Sequence, residues 1–116
     1  MKHLLLAAAL LVSASTFAQS APAGAYEFLT LAESQSQQGG FAKIIFAPAF
    51  QDKTEIALES LPGSISAAKY MNTYRKNLEV VNQQLEAITA AGWELLHVSA
   101  TTLNPGHEYL FRRPKK

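Results

Sequence analysis

The chain has 116 residues, ten Lys and Arg against nine Asp and Glu, and no cysteine. That length holds one domain, and so balanced a charge excludes electrostatic capture of a nucleic acid or another polyanion. The lack of cysteine excludes disulfides and a cysteine nucleophile.

Lys2 and His3 precede an apolar run, Leu4 to Val12, and Ser13 to Ala18 ("SASTFA") then supplies small residues, with Thr16 and Ala18 at −3 and −1 of a cleavage point. This order predicts a secretory signal peptide over 1–18. The run is too short to span a membrane, which takes about 20 apolar residues. Cleavage before Gln19 takes 18 of the 116 residues and leaves 98, with nine basic and nine acidic side chains once Lys2 is gone. The expected product is exported to the periplasm or beyond, has no membrane anchor, and has no cysteine to carry a lipid. Such a chain must hold itself by its core, aided by oligomerisation.

Residues 19–25 read as a flexible lead, and 26–116 as a single α+β domain. Tyr26 to Leu31 alternates with a period of two and predicts a strand. Glu33 to Gly40, polar and closed by two glycines, suits a hairpin loop. Phe41 to Ala47 predicts a second strand that Pro48 ends or kinks. Phe50 to Leu61 fits a strand or a short helical turn equally.

Ser64 or Ser66 is placed to cap a helix running to Ala91. Met71, Tyr74, Leu78, Val81, Leu85 and Ile88 form its apolar stripe, and that spacing suits packing on a sheet better than a coiled coil. About 26 residues reach about 39 Å, against about 23 Å for a seven-residue strand. The helix is therefore expected to overhang the sheet or break, with Asn72, Thr73 and Asn77 its weakest formers. Gly92 suits the C′ position. Trp93 to Ala100 and His107 to Arg113 predict a final hairpin, with Pro105 and Gly106 at the centre of a type II turn. The expected fold is α+β: an antiparallel sheet of about four strands in ββαββ order, with one long helix on one face.

The stretches "YEFLTL", "LEAITAAGWELLHV" and "YLFRRPK" resemble the small bacterial family catalogued as domain of unknown function 4177. The longer segment before the helix and the length of the helix depart from that pattern. The resemblance implies a fold and no activity.

Few residues suggest chemistry. His97 and His107, on strands joined by one turn, are candidates for a metal site or an acid/base pair, but a third ligand is lacking and Glu94 and Glu108 alternate away from them. There is no nucleophile elbow, phosphate loop or dinucleotide fingerprint, and no cofactor is expected. Arg112, Arg113, Lys115 and Lys116 form a basic tail that reads as a solvated end or a contact for anionic lipid. Strand alternation yields two apolar sets. Leu29, Leu31, Leu96, Val98 and Leu110 form one, and Tyr26, Phe28, Trp93, Leu95, Tyr109 and Phe111 the other. One helix cannot cover both, so either Phe50 to Leu61 folds over the second set or that set is a candidate interaction face, the reading favoured here. The expected role is a non-catalytic binding or self-association module, as a homodimer or with a protein partner. The alternative is a small enzyme or metal binder using His97 and His107.

Overall fold

Six elements follow one another in the computed structural model, which describes residues 25–63, 66–101 and 106–116. They are β1 (Tyr26–Ser34), β2 (Lys43–Phe50), β3 (Lys53–Ala57), α1 (Ala67–Ala90), β4 (Glu94–Ala100) and β5 (Gly106–Pro114). The five strands form one antiparallel sheet in the order β3-β2-β1-β5-β4. The expected signal peptide, most of the lead, Ser64 as a cap and the turn residues Asn104 and Pro105 lie outside the described residues.

The described residues fall into two units, Phe28–Arg113 and a smaller one that includes residues 25–27 and Pro114–Lys116. The described part of the smaller unit is tied by a backbone hydrogen bond from the Lys115 N–H to the Ala25 carbonyl, 2.8 Å. The larger unit holds the core.

The α+β class stands, with five strands where about four were expected. The extra one is β3, drawn from the segment with ambiguous periodicity. It forms because Gln51 and Asp52 both take left-handed backbone angles, φ 51° and 63°, as a two-residue hairpin turn of type I′ requires. β2 also runs past Pro48 to Phe50, through a cis Ala47–Pro48 bond, with its register against β3 shifted between Ile45 and Phe50.

On β1 the side chains of Leu29, Leu31 and Glu33 point toward the helix and are buried. In register, Leu31 meets Phe46 and Glu33 meets Ile44 on β2. Phe111 joins them from β5, and Val81 and Ile88 from α1 close the core. These apolar side chains are the main stabilising element, at about 1.5–3 kcal/mol for each one fully buried.

The helix is unbroken over 24 residues, about 36 Å. Its Ser66 hydroxyl accepts from the Lys69 N–H, 3.3 Å, an N-cap. Met71 stands exposed near this end, whereas Val81 and Ile88 are buried. The excess length is thus taken up at the N-terminal turns. At the other end Gly92 has φ +94°. Its N–H bonds to the Thr89 carbonyl at 3.0 Å, and the Trp93 N–H bonds to the Ile88 carbonyl at 3.3 Å. That pair of bonds is a Schellman cap, and the hydrophobic partners it brings together, Ile88 and Trp93, are both in the core.

Gly106 opens β5. Its requirement is space. A Cβ there would collide with the Glu33 carbonyl of β1, so only glycine lets the two backbones approach.

Candidate functional site

Beneath the helix the sheet carries a chain of buried polar side chains. Glu33, 3% exposed, sits where the alternation of Leu29 and Leu31 continues inward. Its Oε1 lies 2.8 Å from His107 Nδ1, and its Oε2 accepts from Gln35 Nε2 at 3.4 Å. Gln35 Oε1 accepts from Asn77 Nδ2 at 2.8 Å. The same amide donates to the Glu59 carbonyl at 2.8 Å, and Asn77 Oδ1 accepts from the Glu59 N–H at 3.1 Å. Asn77 therefore clamps both backbone groups of Glu59, drawing the segment after β3 to the helix side. It takes a core position that the apolar stripe would assign to a hydrophobe.

A carboxylate only accepts, so a neutral His107 carries its proton on Nδ1, and a protonated one forms an ion pair with Glu33. Either way Glu33 orients the ring and leaves Nε2 as the second nitrogen of a side chain 48% exposed. This arrangement can move a proton or offer one imidazole ligand to a metal. Tyr109 packs near this pair, its ring 6.4 Å from that of His107. Burial pushes its hydroxyl above the ordinary tyrosine range, and the Glu33 carboxylate and the Tyr74 phenol add to the effect.

The two histidines singled out in the sequence do not come together. His97 lies opposite Leu110 in register, and Ala100 lies opposite His107. Since Leu110 and His107 are three apart on β5, the imidazoles are on opposite faces of the sheet. Among the described residues no group of three or more His, Asp or Glu side chains is placed to hold a metal. The partner His107 does find, Glu33, was assigned to a loop by the sequence. The signal that places it is the period-two pattern running on from Leu29 through Glu33 to the buried Gln35.

The six residues of the expected interaction face are also divided. Trp93 and Phe111 are buried, Tyr109 is half-buried, and Phe28 and Leu95 are exposed; Tyr26, half-buried, belongs to the smaller unit. Register explains the division. Alternation sorts one strand's side chains, but only pairing decides which sets share a face. A register slip between Leu95 and His97 adds a further half-turn on β4, so Leu95 faces with Phe111 and Val98 with Tyr109.

The basic tail is partly structural. Arg112 reaches Glu94 on β4 at 3.3 Å. The Arg113 guanidinium lies 4.3 Å above the Trp93 ring and donates to the Ala91 carbonyl at 3.2 Å, at the helix C-terminus. Lys115 and Lys116 are exposed.

Among the described residues, the sheet leaves two apolar surfaces uncovered. On the sheet face away from the helix, Phe28 and Ile45 are half exposed between two ion pairs, Lys43–Glu55 and Arg112–Glu94. On β4, an edge strand, Leu95, Leu96 and Val98 are 46%, 40% and 43% exposed. A shallow cleft of about 310 Å³ lies at the helix start, lined by Gly63, Ser66, Ala67, Tyr70 and Met71, without an ionisable acid or base beyond the Tyr70 phenol. No helix among the described residues is long and apolar enough to cross a membrane. Compared with known proteins, the chain matches no family model, no curated protein and no solved structure.

Proposed function

We propose that this is an exported envelope protein that works by association, as a binding or self-association module, and not by catalysis. One observation carries the reading: of the seven large hydrophobics exposed among the described residues, five lie on strands of the sheet. The segment between β2 and α1 does not lid the open face. Leu61 and the core residue Phe50 are buried, and Asn77 holds Glu59 to the helix. Exposed apolar surface of this kind marks contact sites on proteins. The resemblance to the family of unknown function brings no activity with it.

Cross-linking in intact cells tests the proposal. Species heavier than the monomer, with links mapping to sheet strands, are expected, together with a mature N-terminus near Gln19. Recovery of the chain only as a monomer contradicts the association reading, and an intact Met1 contradicts export.

A second reading has its own observation, the 2.8 Å contact between Glu33 and His107. It makes the protein a small acid/base or metal-binding module, centred on His107 and no longer on His97. Calorimetric titration with zinc separates the two readings. Binding abolished by His107→Ala and retained in His97→Ala supports the second, and the absence of any zinc-dependent heat removes its metal form.

A further inference from the structure

β3 and β4 are the two edges of the sheet, and they are built differently. β3 has five residues, including Lys53 and Glu55. Short and charged, it is blunted as natural edge strands are. β4 has seven residues, with its one formal charge, Glu94, at the start and already held by Arg112. From Leu95 to Ala100 there is no lysine, no proline and no charge when His97 is neutral. Three apolar side chains stand exposed along it.

We propose that β4 pairs edge to edge with β4 of a second copy, in an antiparallel two-fold dimer that continues the sheet across both chains. The proposal rests on the association reading and names the occupant of its bare edge. An unpaired edge offers a row of N–H and C=O groups on the side away from β5, and a two-fold axis sets that row against its own copy. Because Leu95 to Ala100 is uncharged, the strand meets its own reverse without opposing like charges in any register; β3 does not have this property. A nucleic acid or anionic polymer finds no cation on β4 to hold it, whereas near-neutral copies do not repel one another.

The helix side of the dimer fits as well. One helix covers a strip about 10–12 Å wide, while four inter-strand spacings make the sheet about 19 Å wide. Leu95 and Val98 project on the helix side, sharing their face with Phe111 and Tyr109, yet remain exposed. Pairing at β4 brings them beside their counterparts across the two-fold axis. A seven-residue seam buries an area at the low end of specific interfaces, below about 1,200 Å², so the dimer is expected to dissociate on dilution.

Sedimentation velocity on the exported protein and three variants tests this. The natural chain should pass from monomer to dimer with rising concentration. Val98→Lys and His97→Lys, which place a cation on either side of the strand, should each weaken the dimer about tenfold or more. Phe28→Lys, on the open face, should leave it within about twofold. Circular dichroism checks that each variant folds, and two placements of the charge guard against one misfolding. A dimer broken by Phe28→Lys and not by the β4 variants overturns edge pairing and moves the association to the open face. A monomer at every concentration overturns the second copy as occupant; heavier cross-linked species in cells would then keep the association reading with a different chain.

Discussion

Asn77 shows how one residue joins three parts of the chain. Its amide ties α1 to Gln35 beyond β1 and to both backbone groups of Glu59, at a position 2% exposed. Replacing it with alanine strands the buried Gln35 amide and removes both bonds to the Glu59 backbone. Because an unsatisfied buried group costs about 1–3 kcal/mol, Asn77→Ala is expected to lower stability by about 3 kcal/mol in urea denaturation. Tyr109 gives a second test at this scale. Its hydroxyl titrates above the ordinary value when folded, so the folded state holds a proton that the unfolded chain has lost. The resulting stability is fully present below about pH 10, the unfolded value, and is lost as pH rises through the higher folded value. Tyr109→Phe is therefore expected to flatten the alkaline decline in unfolding free energy above about pH 10, relative to the natural chain. An identical decline in both proteins would remove Tyr109 as its cause.

At the scale of elements, the β2–β3 turn is suboptimal. Both of its central residues need left-handed angles, which Asn and Gly adopt readily and Gln does not. The double change Gln51→Asn, Asp52→Gly is expected to raise stability by about 0.5–1 kcal/mol, because relief of left-handed strain outweighs the entropy a glycine loses on folding, read as a higher denaturation midpoint with an unchanged slope. A fall would show that these side chains hold contacts beyond the turn. The same element shows what the sequence can and cannot reveal. The alternation of Tyr26 to Leu31 and the spacing from Met71 to Ile88 are local, and both are legible without neighbours. So is the stop at Gly92, because a Schellman cap is written in adjacent residues. β3 is not legible, since five residues with two charges carry no clear period. The site is less legible still. Glu33 and His107 are 74 positions apart, and only the pairing of β1 with β5 brings them together. His97 and His107 are close in sequence, yet the strand register puts them on opposite faces. The slip at Leu96 likewise inverts the expected partnership of Leu95 and Val98, and a bulge of that kind leaves no mark in composition.

For the whole molecule, one helix and five strands do not close on themselves. The core under α1 is sealed by Phe111, Trp93, Ile88 and the strands of β1 and β2. The buried polar chain fixes the segment after β3 on that same side. Among the described residues, the sheet stays bare at the opposite face around Phe28 and Ile45 and along β4 from Leu95 to Val98. Without disulfides, a chain of this size would gain stability from the proposed continuation of its sheet into another copy. The proposal puts that continuation at β4, which carries no formal charge from Leu95 to Ala100, and not at the short, charged β3. Amide hydrogen exchange measured on residues 19–116 across a wide concentration range tests it most directly. The account predicts that amides of residues 95–100 become slower to exchange as concentration rises, while those of β3 do not change. Exchange along β4 that is equally fast at every concentration would contradict it.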